Sequence, residues 1–309
     1  MEIKMRNDDF FDNSKTIEIY NSYEPYYLYV MKRFYENNNI ECIVALDTDL
    51  DIYLKHFSNV KFVYLNSNAV HLEEVNKLSN LNGIALCNNQ LKEIDDKILE
   101  KIEYLEINYL EKKHVDFNQF KSLKHLRLKN YPFEEFKIDI ELISLSIDTA
   151  PKIKKLNCIN TKSLIKLKLE NIRKLETIDL ECTKLELFDI YDSKKITNLE
   201  EFLNSCKNLT EIVITSYSDS KAELNSIKFI NNLEQLEYFR TNFKIMDGDL
   251  KPLLKLKDVV VCPFYKNYNL KDKDLPHLKV FIKEGNKISY VELDSLELGK
   301  DDSRISWLD

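Results

Sequence analysis

Hydrophobic residues recur along the chain in a short fixed pattern, in which the first, fourth and sixth positions are apolar and the positions between them vary. The apolar fourth and sixth positions of each copy alternate with variable ones, which predicts a short strand with one side against a core. Successive copies are about 21 residues apart. The copies begin at Ile40, Val60, Leu81, Ile102, Leu123, Leu142, Leu164, Leu185, Leu209, Leu236, Leu256 and Leu278.

The segments between the predicted strands differ from one copy to the next. Residues 197–206 begin with the sequence of a capping box and continue with apolar residues at helical spacing, which predicts a helix. Residues 68–78 predict a second helix, whereas residues 175–180 alternate like a strand. Because no copy can bury its own apolar side, the copies are expected to stack around one shared core.

The clearest copy is Leu81-Asn-Gly-Ile84-Ala-Leu86-Cys-Asn-Asn89-Gln-Leu91. It resembles the leucine-rich repeat family, whose template is L-x-x-L-x-L-x-x-N-x-L. The resemblance implies an α/β leucine-rich repeat solenoid, curved, with a parallel β-sheet on the concave face and helices and extended segments on the convex face. Its asparagine position is filled at Asn89 and plausibly at Asn68 but not in most copies, so we expect a degenerate asparagine ladder.

The pattern predicts three segments. Residues 1–39 are expected to form a helical N-terminal cap, with Pro25 near the start of an aromatic-rich helix. Residues 40–287 contain about twelve repeats without a linker or a change in composition, so they are expected to form a single unit. Residues 288–309 are expected to form a C-terminal cap and tail.

Composition excludes several kinds of chemistry. The chain has only four glycines, and they are far apart, so no glycine-rich phosphate loop or dinucleotide turn can be written. The histidines and the scattered cysteines lack metal-ligand spacing, so no metal, cofactor or enzymatic activity is expected. The cysteines are expected to be core residues of a protein from the reducing cytoplasm.

The net charge of −7 and the sequence pI near 5.5 argue against nucleic acid or an anionic membrane as the main partner, since both need a positive footprint. In the leucine-rich repeat family the concave strand face is the usual binding surface, so the variable strand positions are expected to bind another protein. Tyrosine and arginine, which recur there, are enriched at interface hot spots. The residues expected to bind a partner are Tyr64, Tyr104, Glu106, His125, Arg127, Lys129, Asp148, Lys166, Lys168, Glu170, Asp189, Tyr191, Tyr238 and Arg240.

Two other interpretations of these residues remain open. Adjacent strands would place Glu106 beside Arg127, and Lys168 beside Asp189, as cross-strand charge pairs that serve only the fold. The cluster His125, Arg127, Lys129, Lys166 and Lys168 could hold phosphate or RNA, although acidic neighbours outnumber the cations on this face.

The sequence therefore predicts a non-enzymatic, cytoplasmic protein that binds a protein partner through its concave face. An inhibitor, such as a toxin-immunity protein, suits a solenoid without a catalytic module. The alternatives are an adaptor or scaffold in a signalling complex, or an enzyme or nucleotide binder with an unrecognised pocket between Leu185 and Leu236. Self-association, if it occurs, is expected at the aromatic residues Tyr23 to Tyr35 of the cap.

Overall fold

The computed structural model describes residues 16–19, 42–45, 54, 60–136, 139–157, 160–216, 222–261, 264–275, 282–284 and 287–289. They form two compact units, one ending at Leu126 and the other beginning at Arg127. The division falls inside one repeat, in strand residues 125–129, and the expectation of a single unit stays a prediction. The expected boundaries of the caps stay predictions.

The first unit contains a parallel sheet whose strands are adjacent in chain order. Its strands are β1 (Thr16–Ile19), β2 (Cys42–Ala45), β3 (Phe62–Leu65), β4 (Gly83–Cys87) and β5 (Tyr104–Asn108). Strand β1 lies within residues 1–39, so the sheet begins before Ile40, where the expected cap was purely helical. The helix predicted after Pro25 lies outside the described residues.

The strand β6 (His125–Lys129) contains the boundary between the units. The second unit has a parallel sheet in the order β7, β9, β11, β12, β14 and β16. These strands are Ser144–Asp148, Lys166–Glu170, Leu187–Tyr191, Glu211–Thr215, Tyr238–Thr241 and Asp258–Val261. Every predicted copy from Ile40 to Leu256 gives a strand that begins two residues after the start of the copy, which confirms the strand prediction.

The copy predicted to begin at Leu278 does not extend this sheet. Strand β17 (Ile282–Glu284) pairs with β18 (Lys287–Ser289) in an antiparallel hairpin. The start of this copy lies outside the described residues, so its assignment as a repeat stays a prediction.

The segments that connect the main strands are short helices or short strands. They include the α-helix α1 (Asp96–Leu99) and several 3-10 helices, among them Leu72–Lys77 within the stretch predicted as a helix. The second unit also has two small parallel sheets that are separate from the main one. One pairs β8 (Lys155–Asn157) with β10 (Thr177–Asp179), and the other pairs β13 (Glu223–Leu224) with β15 (Lys244–Ile245). Strand β10 confirms the extended segment predicted at residues 175–180.

The helix predicted after Thr197 is present as α2 (Leu199–Ser205), but its capping box does not form. Thr197 Oγ1 donates to the carbonyl of Glu176 at 3.0 Å, and Glu200 Oε1 accepts from the backbone N–H of Ser226 at 3.2 Å. Both side chains therefore connect neighbouring repeats instead of closing their own helix. Phe202 anchors the helix, with its ring centroid 5.4 Å from that of Phe188 in β11.

A backbone feature recurs after four strands of the chain. The residue that follows each of these strands has a left-handed conformation, and its N–H donates at 2.9 Å to the last carbonyl of the next main-sheet strand. These residues are Asn130, Thr149, Asn171 and Asp192, with φ between 50° and 60°. Asparagine and aspartate tolerate this conformation better than most residues, which explains why they recur here.

In the first unit the corresponding residue is Asn88, and its side chain forms the repeat-to-repeat connection. Asn88 Oδ1 accepts from the N–H groups of Leu110 and Glu111, at 3.1 and 3.2 Å. Its Nδ2 donates to the carbonyls of Glu111 and Lys113, at 3.0 and 3.3 Å. The predicted ladder residue, Asn89, leaves its buried Oδ1 without a hydrogen bond, so the ladder position lies one residue earlier than the family template places it.

Replacing Asn88 with alanine should therefore lower the free energy of unfolding, because it leaves two backbone N–H groups without an acceptor. The expected loss is about 2 kcal/mol, measured by urea unfolding followed by far-UV circular dichroism. Asn89→Ala is the matched control and should change stability by less than about 0.5 kcal/mol. Equal losses in both variants would contradict the assignment.

Candidate functional site

The strands of the second unit carry their variable residues on one face, in rows that run across the sheet. The strand register fixes these rows, and the residues alternate with fully buried ones along each strand. The first row is Ser144, Lys166, Leu187, Glu211, Tyr238 and Asp258. The second row is Ser146, Lys168, Asp189, Val213, Arg240 and Val260. The third row is Asp148, Glu170, Tyr191 and Thr215.

The second row is held together by its own charges. Lys168 Nζ lies 2.8 Å from Glu170 Oε1 of the third row and 3.9 Å from Asp189 Oδ2. The three side chains are 10% to 20% exposed, so this is a largely desolvated ion-pair cluster. The predicted cross-strand pair of Lys168 and Asp189 is therefore present.

Asp189 is the most buried carboxyl of this face. Burial raises its pKa to about 6, the positive charges of Lys168 and Arg240 lower it, and the charge of Glu170 raises it. Burial outweighs the attraction of the two cations because the carboxylate has lost most of its hydration. The ionised form of Asp189 therefore stabilises the folded protein less than its protonated form would.

Tyr238 and Arg240 occupy neighbouring rows of β14. Burial raises the pKa of the Tyr238 hydroxyl to about 12, and the Arg240 guanidinium, which is hydrogen-bonded to it, acts in the opposite direction. The charges of Glu211 and Asp258, on either side of Tyr238 in the first row, raise the pKa further. Tyr238 is therefore a neutral, half-buried ring between two carboxylates.

The remaining predicted residues of this unit have varied surroundings. Asp148 Oδ1 accepts hydrogen bonds from Thr149 Oγ1 at 2.9 Å and from Asn171 Nδ2 at 3.2 Å, so it supports the ends of the strands. Lys166 is exposed, and Tyr191, Arg127 and Lys129 are half-buried. His125 is also half-buried but lies on the other side of the unit boundary.

Tyr64, Tyr104 and Glu106 belong to the first unit and form a different environment. Phe62 and Tyr104 close over Gly83, with their rings in an edge-to-face arrangement and the centroids 5.3 Å apart. Tyr64 packs against this cluster. Tyr104 is 6% exposed and Glu106 3%, so neither side chain is accessible to a partner in this structure. Of the three residues, only Tyr64 is half-buried and so partly accessible.

Sequence reasoning missed a polar cluster at the end of β11. Asp192 Oδ2 accepts from Arg173 Nε at 3.0 Å, and its Oδ1 accepts from Ser216 Oγ at 3.1 Å and lies 3.4 Å from Lys194 Nζ. Burial alone would raise the pKa of Asp192, but these hydrogen bonds and the charge of Lys194 hold it below its ordinary value. The cluster lies one residue beyond the strand positions that the template marks as variable, which is why the pattern did not indicate it.

The described residues contain no group of three or more histidine, cysteine, aspartate or glutamate side chains placed to hold a metal ion. Among the same residues, no helix is long and apolar enough to span a membrane. A cavity of about 410 Å³ is lined by residues that include Glu135, Phe136 and Lys155, outside the segment from Leu185 to Leu236 where an unrecognised pocket was considered.

No protein-family model matches the chain, and no curated protein matches it. A similar solved structure is described as "Crystal structure of TLR13-ssRNA13 complex", with a TM-score of 0.42 and 16% sequence identity. The match covers 80% of this chain and 43% of that one, so this chain spans less than half of the other's length. A likeness at this level carries no argument about function.

The class of protein follows from the strands themselves. Parallel strands in register, separated by one repeat and joined by short helices or extended segments, define an α/β solenoid of the leucine-rich repeat type.

The raised pKa of Asp189 predicts a pH-dependent stability difference. An aspartate whose pKa is higher in the folded protein than in the unfolded chain stabilises the fold as the pH falls through the folded value, here about 6, until both states are protonated. Asp189→Asn should therefore be more stable than the wild type at pH 7, by on the order of 2 kcal/mol.

This difference should shrink steadily as the pH falls from 7 to 4, measured by urea unfolding at each pH. Other titrating groups contribute equally to both proteins and cancel. In a Lys168→Met background, which removes a charge that lowers the pKa of Asp189, the difference at pH 7 should grow. A difference that does not vary with pH would contradict the assignment.

Proposed function

We propose that this protein is a non-enzymatic cytoplasmic protein that binds another protein through the strand face of its second unit. The observation that supports this most directly is the composition of the face. Leu187, Val213, Tyr191 and Tyr238 are half-buried on strands β11, β12 and β14, and charged side chains lie among them. Interfaces of protein complexes are likewise rich in aromatic anchors accompanied by polar residues.

The surrounding charges are divided between the two ends of the face. The strands β6 to β9 contribute Arg127, Lys129, Lys166 and Lys168 against Asp148 and Glu170. The strands β11 to β16 contribute Arg240 against Asp189, Glu211 and Asp258. A surface with both signs fits a protein partner better than nucleic acid, whose phosphates would meet the carboxylates of the second end.

Within this class, an inhibitor such as a toxin-immunity protein is the role that we favour. A rigid face with pre-paired charges loses little side-chain entropy on binding, which suits a stable complex with a single target. An adaptor in a signalling complex is the alternative, and it would bind two partners at once rather than one.

Truncating the centre of the face should abolish the capture of the partner. We expect Tyr191→Ala/Tyr238→Ala to lose at least tenfold in partner recovery, because aromatic anchors carry much of the energy of an interface. The measurement is an affinity pull-down from the source cells after nuclease treatment, with bound proteins quantified by mass spectrometry and the fold of each variant verified by circular dichroism.

The matched control is Met246→Ala/Leu254→Ala, which removes similar apolar surface from two exposed side chains outside the main strands, 41% and 49% exposed. It should retain the partner. Recovery that is equal in both double variants, or the absence of any specific protein with the wild type, would overturn the proposal. Recovery of two proteins that also bind each other only through this chain would favour the adaptor.

A further inference from the structure

The first and second rows of the face differ in how their charges are satisfied. In the second row Lys168 is bound to Glu170 and Asp189, and Arg240 is close enough to Asp189 and Tyr238 to affect the pKa of both. Removing Lys168, the cation shared by the two carboxylates, leaves poorly hydrated negative charges behind. The second row is therefore suited to holding the face in shape rather than to exchanging its contacts for those of a partner.

The first row has unpaired charges at two positions along it. Lys166 forms no ion pair or hydrogen bond through its side chain with any part of the chain that the structure describes, and its side chain is exposed. Asp258, in the same row on β16, likewise has no ion pair within the described residues and is half-exposed. Forming a contact at either position displaces only water.

Geometry sets the distance between these two charges. The row runs Lys166, Leu187, Glu211, Tyr238, Asp258 over adjacent strands in register. With about 4.8 Å between neighbouring strands, the two ends are about 19 Å apart, which corresponds to about six residues of an extended chain. Leu187 provides an apolar contact near the basic end.

The acidic end is built to receive a cation. The strand register places Tyr238 between Glu211 and Asp258. Arg240 of the second row is hydrogen-bonded to the Tyr238 hydroxyl, so this end carries two carboxylates beside one cation. The face of a tyrosine ring attracts a lysine or arginine side chain, and flanking carboxylates add to this attraction. The only charge of the opposite sign in the row is Lys166, at the far end.

From this arrangement we propose that the first row determines the partner's identity. It accepts a protein segment that places a carboxylate on Lys166, an apolar side chain on Leu187 and a lysine or arginine between Glu211, Tyr238 and Asp258. This inference rests on the proposed function, since it assigns the chemistry of the partner to that same face.

A random dodecapeptide library displayed on phage tests the row without the native partner. The library is selected against the immobilised wild-type chain, Lys166→Glu and Asp258→Lys. Peptides selected by the wild type should carry an acidic and a basic residue about four to six positions apart, because Tyr238 and Asp258 lie three and four strands from Lys166, with apolar residues between them. Lys166→Glu should select peptides with basic residues at both positions, and Asp258→Lys should select peptides with acidic residues at both.

Synthetic peptides from the wild-type selection should lose at least tenfold in affinity for either variant, measured by fluorescence anisotropy. Lys207→Glu, a reversal at an exposed lysine just after α2, is the control and should bind them as the wild type does. Circular dichroism verifies that each variant is folded.

Selected peptides with the same composition for all proteins, or no enrichment by the wild type, would overturn the assignment of the row. Failure of the row and failure of the proposed function are distinguishable. If the tyrosine double variant loses the partner but the selected peptides do not change with Lys166→Glu or Asp258→Lys, the proposed binding face is supported and the assignment of the first row is rejected. If the selected peptides change their charges as expected with each variant but no partner is captured from cells, the assignment of the first row is supported and the proposed cellular role is rejected.

Discussion

The sharing of apolar side chains between neighbouring repeats is the interaction on which the rest of the structure depends. The main strands from β3 to β12 each point two hydrophobic residues inward, as Leu167 and Leu169 do in β9 and Phe188 and Ile190 do in β11, and these four are at most 1% exposed. A short strand buries little surface alone, so these residues are covered only when the next strand lies beside them in register. The register in turn aligns the variable positions into rows.

This constraint explains why the connecting segments tolerate such variety. A return segment has only to bring the chain back to the start of the next strand, and it can do so as a 3-10 helix, an α-helix or a short strand. The return segment must, however, supply a hydrogen-bond partner for the backbone N–H and C=O groups at each turn. Asn198 illustrates this, because its side chain accepts from the N–H of Ile178 and donates to the carbonyl of the same residue, both at 3.0 Å. Asn242 forms the equivalent pair of bonds with Ser216.

The strands could be predicted from the sequence because their signal is local and repeated. Two apolar residues at alternate positions, found again about 21 residues later, indicate where each strand begins. The predictions of the ladder residue and of the capping box were wrong for a different reason. Asn88 and Asn89 are the same residue type, so the sequence does not distinguish them. Thr197 and Glu200 match a local motif. Their actual partners lie about one repeat away in the chain, and no local pattern carries that information. The burial of Tyr104 and Glu106 is also a tertiary property, although Gly83 between two aromatic strand positions was a signal that the rings close over it.

The same limit applies to the candidate site, because the repeat pattern predicts which residues share a strand face but not how the charge of each residue is paired. Lys166 and Lys168 are two residues apart on one strand and are the same residue type, so the sequence alone does not distinguish them. Lys168 lies opposite Asp189 in the neighbouring strand and has Glu170 on its own strand, whereas Lys166 lies opposite Leu187 and Ser144. A cation flanked by carboxylates is held by the protein itself, and a cation flanked by a leucine and a serine is left for solvent or a partner. The register of the sheet, which serves the core, therefore also decides which charges on the opposite face are available for recognition.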